Sequence, residues 1–201
     1  VVNKDAGIAA IKAQKGKRVG ILPGTTQEAV FLERLKAEGM TIKDVQSVRV
    51  SFSEMAGALE RGDVDAYVGA EPGPSISVSK GVGAVLELPY STPAGSINMV
   101  MATHADTLKN DPELERKFLQ MHKSATEFAN ANRPALVQKA GAVLGLGPAI
   151  ANLAADNVEL VWKIDDAYVG RAKYYGSLML ERKQIRKLPS YDTFIAKGLA
   201  P

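Results

Sequence analysis

Residues 15–26 read KGKRVGILPGTT, and this stretch decides the fold. A short apolar run at residues 18–22 is broken by Pro23-Gly24, and a helical pattern begins directly after the break. Thr25 suits the N-cap of that helix, and Glu28 follows three residues later, at capping-box spacing. The stretch therefore predicts a buried strand, a tight turn and a helix, the unit from which α/β layers are built.

The same alternation continues to about residue 88 and then changes. Further strands are predicted at residues 45–50, 66–70, 84–88 and 97–103, and short helices at 53–61 and 76–80. After Asp111 only helices and loops are expected, with helix starts at Asp111, Pro134, Pro148 and Asp165. The chain therefore divides near residues 90–96 into an α/β part with a parallel layer and an α part. The helical part has apolar faces that a second layer would have to cover.

Composition excludes several classes of protein. The 201 residues carry a net charge of only +3, and no long basic block suggests nucleic acid as a partner. The chain has no cysteine, which removes disulfides, thiol catalysis and cysteine-based metal sites. No apolar run is long enough to span a bilayer, and residues 1–5 do not read as a signal peptide.

Several segments resemble the substrate-binding proteins of ABC importers, in the nitrate, sulfonate, taurine and bicarbonate group that includes binders of thiamine precursors. The resemblance spans most of the chain. It is carried by residues 2–8, by 15–26, by the pattern Ala58-Leu59 through Val64-Asp65-Ala66 to Glu71-Pro72, by Asp111-Pro112-Glu113-Leu114 with Phe118-Leu119, and by 174–176 with 189–192.

The resemblance implies an α/β fold of the type II periplasmic-binding-protein kind. Residues 1–13 would be the crossover from a first lobe, and 14–92 a complete second α/β lobe. Residues 93–201 would be the return strand and the C-terminal helical part of the first lobe. Most of the N-terminal lobe would be missing from this chain.

The resemblance also implies a function. The chain would be the extracytoplasmic solute-binding component of an ABC importer, periplasmic or lipid-anchored. It would be a monomer, bind a small anion such as a sulfonate or nitrate in a cleft between lobes, and dock on a membrane permease. It would not be an enzyme and would need no cofactor. Two alternatives share the fold class: an enzyme of pyrimidine or menaquinone precursor metabolism, and a ligand-sensing domain of a signalling protein.

The first candidate site is the turn that begins the first long helix. In parallel layers, ligands bind at the carboxyl ends of strands against helix N-termini. The backbone around Gly24 and the hydroxyl groups of Thr25 and Thr26 offer hydrogen-bond donors to an anion. A self-satisfied Thr25–Glu28 cap is an equal alternative, so Thr26 and Gln27 are expected to be the more direct contacts.

Three further residues complete the candidate set. Glu71 follows a predicted strand at the same edge, where its carboxylate suits a cationic or amide-bearing solute or a purely structural role. Ser96 and Asn98 lie on the predicted return crossover. The chain offers no nucleophile elbow, no phosphate-binding loop and no histidine at metal-ligand spacing, so neither catalytic residues nor a metal site are expected.

Overall fold

Five strands form one sheet in the order β3-β2-β4-β1-β5. The structure, a computed structural model, describes residues 1–89, 92, 94 and 99–199. The strands are β1 (Val2–Asn3), β2 (Arg18–Ile21), β3 (Gln46–Arg49), β4 (Ala66–Tyr67) and β5 (Gly83–Ala84). β2 runs parallel to β3 and β4, as the sequence predicts, but β1 pairs antiparallel with β4 and β5. The layer is therefore mixed, because the short β1 enters it between two strands that run the other way.

The helices of the described residues follow the predicted pattern closely. They are α1 (Thr26–Ala37), α2 (Met55–Glu60), α3 (Gly73–Ser79), α4 (Ala105–Asn110), α5 (Pro112–Ala131), α6 (Arg133–Leu144), α7 (Pro148–Asp156), α8 (Asp166–Glu181) and α9 (Tyr191–Phe194). The sequence did not predict α4 and α9. Of the strand predicted at residues 97–103, residues 97 and 98 lie outside the described residues, and residues 99–103 belong to no strand.

Two compact units make up the chain. The first contains Val1–Ser96 and Val137–Val158, and the second contains Ile97–Leu136 and Glu159–Pro201. The assignment of residues 93–201 to the first lobe stays a prediction; in the structure, residues 137–158 are grouped with the α/β part. These residues pack there through α7, which lies against α3.

Helices cover both faces of the sheet in the first unit. Val19 and Ile21 of β2 share one buried cluster with Phe31 and Leu35 of α1. Tyr67 of β4 belongs to the second cluster, with α2 residues such as Leu59. Ala66 of β4 belongs to the first cluster and Tyr67, the next residue, to the second. Successive side chains of a strand point to opposite faces, so the two clusters lie on the two sides of the sheet. Each fully buried aliphatic side chain contributes about 1.5–3 kcal/mol to the free energy of unfolding.

In the second unit, α5 turns its apolar side outward. Leu114, Phe118, Met121 and Phe128 recur at helical spacing, and their side chains are 47–61% exposed. The buried position of this helix is Thr126, on the other side. The apolar row that predicted the helix is therefore solvent-exposed.

Membrane-spanning potential is limited among the described helices. None of them alone is long and apolar enough to cross a bilayer. α6 and α7 meet both criteria only when taken together, and they are bent by 117° at the break between them.

Candidate functional site

The candidate residues of the first unit follow two neighbouring parallel strands. Gly20 of β2 lies opposite Tyr67 of β4, and the Val68 N–H donates a hydrogen bond of 2.9 Å to the Gly20 carbonyl. Gly24 lies four residues after Gly20, and Glu71 lies four residues after Tyr67. Because the carboxyl ends of parallel strands meet at the same edge of a sheet, both segments begin at that edge.

The turn at Gly24 is shaped by its backbone. Gly24 has a φ of +83°, in the left-handed region that favours glycine. A Cβ atom built at this position would meet no atom within 4 Å. Glycine is therefore required here by the backbone conformation of the turn and not by a crowded neighbour.

Thr25 caps α1 as the sequence predicts. Its hydroxyl oxygen accepts a hydrogen bond of 3.3 Å from the Glu28 N–H and donates one of 2.7 Å to the Leu22 carbonyl. The Glu28 carboxylate accepts from the Gly24 N–H at 2.7 Å, one residue earlier than in a standard capping box. A carboxylate therefore already lies at this helix N-terminus, where an anionic solute would have to share the backbone donors.

Thr26 and Gln27 begin the helix beside this cap. Both side chains are partly exposed, and the Thr26 hydroxyl donates a hydrogen bond of 2.9 Å to the amide oxygen of Gln27. This pair presents polar groups to solvent next to the Gly24 turn. It remains the predicted direct contact for a solute.

The Glu71 carboxylate has two protein partners. One oxygen accepts from the Asn157 side-chain amide at 2.7 Å, and the other from the Ser75 N–H at 3.2 Å. No sequence pattern points to Asn157, because it lies 86 residues further along the chain. The structure thus shows a helix-to-helix contact at the position where the sequence predicted either a solute ligand or a structural acid.

Tyr67 is a core residue, as expected. Its side chain is 1% exposed, and its hydroxyl forms a hydrogen bond of 2.9 Å with the hydroxyl of the fully buried Ser77. Burial raises the pKa of the Tyr67 hydroxyl to about 12, since the ionised form would lose its hydration. The pair fixes α3 to β4 just below the candidate edge.

Ser96 and Asn98, the two candidates on the return crossover, lie outside the described residues. A further pair of hydroxyl groups follows β3, whose carboxyl end lies at the same edge of the sheet. The hydroxyl groups of Ser51 and Ser53 lie 3.2 Å apart, and that of Ser51 also donates to the Glu54 carboxylate. Ser53 was predicted to cap α2, but the N-cap is Glu54 and no side chain caps the helix.

Elsewhere, the second unit contains a cavity of about 480 Å³ that the sequence did not reveal. It is lined by residues of α8 and of the C-terminal segment. Lys197 there pairs with Asp166 at 3.2 Å, so these two charges are balanced within the protein. Among the described residues, no group of three or more His, Asp or Glu side chains has the arrangement of a metal site.

Comparison with known proteins identifies the family. Residues 1–135 match a family model described as NMT1/THI5 like. The chain belongs to the NMT1/THI5-like family. No curated protein sequence matches the chain.

Solved structures show what fold this NMT1/THI5-like chain has. The periplasmic aliphatic sulphonate binding protein SsuA from Escherichia coli matches with a TM-score of 0.81 at 16% identity, covering 98% of this chain and 68% of that one. The alkanesulfonate-binding protein SsuA from Xanthomonas axonopodis pv. citri, bound to MOPS, gives 0.80 at 16% identity, covering 100% and 68%. The desulfurization enzyme DSZB gives 0.71 at 14% identity, covering 98% and 73%.

These likenesses confirm the predicted α/β periplasmic-binding-protein fold. At such low identity they concern the fold, and the fold is common to binding proteins and an enzyme. The NMT1/THI5-like chain spans about two thirds of the length of the two sulfonate-binding proteins.

Proposed function

We propose that this chain is the solute-binding component of an ABC importer, acts outside the cytoplasm, and binds a small anion, with organic sulfonates as the first class to test. The observation that carries the proposal is its fold likeness to two sulfonate-binding proteins over nearly its whole length. One of these proteins is bound to MOPS, a molecule that carries a sulfonate group. Family membership supports the same reading. The loaded protein would act as a monomer and deliver its solute to a membrane permease.

The proposed solute contacts in the first unit are at the carboxyl edge of the sheet. Thr26 and Gln27 would donate to the anion from their side chains, and the backbone around Gly24 and Thr25 would contribute the N-terminal end of α1. Ser96 and Asn98 are proposed as contacts from the sequence alone. The Glu28 carboxylate, held at the Gly24 N–H, would repel an anion at that end of the turn, so the direct contacts are proposed at Thr26 and Gln27.

Thermal unfolding of the chain in the presence of candidate anions tests the proposal. The series would contain MOPS, taurine, an alkanesulfonate, nitrate and bicarbonate. A ligand that binds only the native state stabilises it by about 2.7 kcal/mol at a hundred times its Kd. The Thr26→Ala variant is expected to lose most of this shift. Thr107→Ala is the matched control, because Thr107 lies on α4 in the second unit.

The three possible outcomes distinguish the proposed function from the proposed site. A saturable shift with one anion, reduced in Thr26→Ala and retained in Thr107→Ala, supports both the function and the site. A shift that is equal in both variants supports the function and removes Thr26 from the site. No shift with any of these anions at millimolar concentration overturns anion binding by this chain.

An enzymatic role is the second candidate, because a desulfurization enzyme has the same fold. Among the described residues at the carboxyl edge, the acids Glu28, Glu54 and Glu71 each accept hydrogen bonds from protein groups. Turnover at high protein concentration would be detected by mass spectrometry as loss of a sulfonate or sulfinate. Consumption of more than one solute molecule per protein molecule would favour the enzyme over the binding protein.

A further inference from the structure

The Glu71 carboxylate joins the ends of two helices. Ser75, whose N–H donates to one carboxylate oxygen at 3.2 Å, is in the first turn of α3. Asn157, whose side-chain amide donates to the other oxygen at 2.7 Å, is the C-cap of α7. Both contacts lie within the first unit.

Each helix end has a reason to use this carboxylate. The N-cap of α3 is Pro72, which has no side-chain oxygen to accept from the first-turn N–H groups. Glu71 supplies that acceptor from one residue earlier. At the end of α7, the Asn157 amide also donates to the Leu153 carbonyl at 3.3 Å. The same amide therefore caps its own helix and contacts Glu71.

The contact lies on a continuous packed path. The Tyr67–Ser77 hydrogen bond holds α3 to β4 in the buried core, and α7 packs on α3. One residue beyond Asn157, between Val158 and Glu159, the chain passes from the first unit to the second. The position of this departure point relative to the sheet therefore depends on how the end of α7 is held.

We infer that Glu71 is a positioning residue that acts through Asn157. Its carboxylate fixes the end of α7, and with it the backbone where the chain leaves the first unit, against the carboxyl edge of the sheet. This role replaces direct solute binding by Glu71. The inference deepens the proposed function, because the same edge carries the proposed solute contacts, but its main test needs no solute.

Hydrogen exchange of the solute-free chain, read by mass spectrometry over residues 153–162, is the main test. Glu71→Ala and Asn157→Ala are each expected to raise local opening roughly 3- to 10-fold, as for a charge-assisted hydrogen bond that is partly exposed. The double variant is expected to open about as much as Asn157→Ala, and less than the summed effects of the two single variants, because both of these remove the contact between Glu71 and Asn157. Peptides covering β2 serve as the internal reference.

A matched control isolates the Glu71 contact from ordinary helix capping. Asn132 is the C-cap of α5, and its amide donates to the Phe128 carbonyl at 2.9 Å, four residues back, as Asn157 does to Leu153. Asn132→Ala thus removes the cap bond alone. Local opening at the end of α5 is expected to rise less than the opening that Asn157→Ala produces at the end of α7.

Exchanging the two partners provides the rescue. In the Glu71→Gln/Asn157→Asp variant, the new amide can donate to the new carboxylate while its oxygen accepts from Ser75, but the carboxylate at position 157 cannot donate to the Leu153 carbonyl. Exchange at residues 153–162 is expected to be slower than in the double alanine variant but faster than in wild type, because the cap bond to Leu153 stays lost. Additive single effects, an unchanged rate in Glu71→Ala, or a reversed pair as open as the double alanine variant would each overturn the inference.

Solute affinity supplies a second readout once a solute has been found. A positioning role predicts that Glu71→Ala and Asn157→Ala weaken binding by similar factors and that the reversed pair restores part of the affinity. Direct contact with solute predicts weakening by Glu71→Ala with little effect of Asn157→Ala, which would also overturn the inference. Failure to find any solute affects the proposed function alone and leaves the exchange result standing.

Discussion

Replacing Tyr67 by phenylalanine should destabilise the first unit measurably. The hydroxyl groups of Tyr67 and Ser77 lie 2.9 Å apart, and the two residues are 1% and 0% exposed. Phenylalanine keeps the ring and its packing but leaves the Ser77 hydroxyl buried without this partner. An unsatisfied buried polar group costs about 1–3 kcal/mol, so Tyr67→Phe should lower the free energy of unfolding by that amount.

The double variant makes the test specific to the hydrogen bond. Ser77→Ala alone should cost a similar amount, because it leaves the Tyr67 hydroxyl buried instead. Tyr67→Phe/Ser77→Ala removes both polar groups and should cost clearly less than the sum of the single variants. The expected coupling energy is therefore about 1–3 kcal/mol.

Urea unfolding followed by far-UV circular dichroism gives the measurement. With a slope of about 2 kcal/mol per molar urea, a loss of 2 kcal/mol moves the midpoint by about 1 M. Tyr168→Phe is the control, because Tyr168 lies in the second unit and is partly exposed, and it should stay within about 0.5 kcal/mol of wild type. Additive costs in the double variant, or a Tyr67→Phe midpoint equal to wild type, would refute the reasoning.

Four further predictions concern single features. At alkaline pH the stability that Tyr67 contributes should be lost as pH rises from about 10 through its raised pKa of about 12, because the unfolded chain releases that proton first; Tyr67→Phe should flatten this part of a stability–pH curve. Thr25→Ala should cost about 1 kcal/mol through loss of the α1 cap, read from thermal unfolding, and an unchanged Tm would contradict it. The Arg18 guanidinium holds the pKa of Asp65 below its ordinary value, so the stability from this carboxylate should be present above about pH 4 and lost as pH falls through the lowered pKa; an acid titration of Asp65→Asn that matches wild type would rule this out. Phe118→Lys should change the free energy of unfolding by less than about 0.5 kcal/mol, because the ring is 47% exposed, and a loss above 2 kcal/mol in urea would show that the ring is buried in solution.

Local signals explain why α1 could be predicted almost to the residue. Thr25 forms the predicted cap, and Gly39 follows the helix with a φ of +70°, where glycine is favoured. Both signals act within one turn of the helix end, so the sequence alone contains them. The predicted cap of α2 is wrong: the Ser53 hydroxyl lies 3.2 Å from that of Ser51, the N-cap is Glu54, and the spacing that predicted the cap does not show this contact.

Long-range contacts explain what the sequence could not show. The antiparallel pairing of β1 rests on the partners of Val2 and Asn3, which are too few to leave a periodic pattern. The contact between Glu71 and Asn157 joins residues 86 positions apart, and neither residue type marks it. The sequence predicted Glu71 at the carboxyl edge of the sheet, but the hydrogen-bond partners of its carboxylate follow from how α3 and α7 pack.

The outward apolar row of α5 has a practical consequence at the bench. Exposed rings and thioethers of this kind adsorb to plastic and to the air–water interface, and they promote association as concentration rises. A dilute titration of this protein would then lose material to surfaces, and the loss would be read as weak affinity. Protein concentration should therefore be measured after each dilution, in vessels passivated beforehand, before any dissociation constant is interpreted.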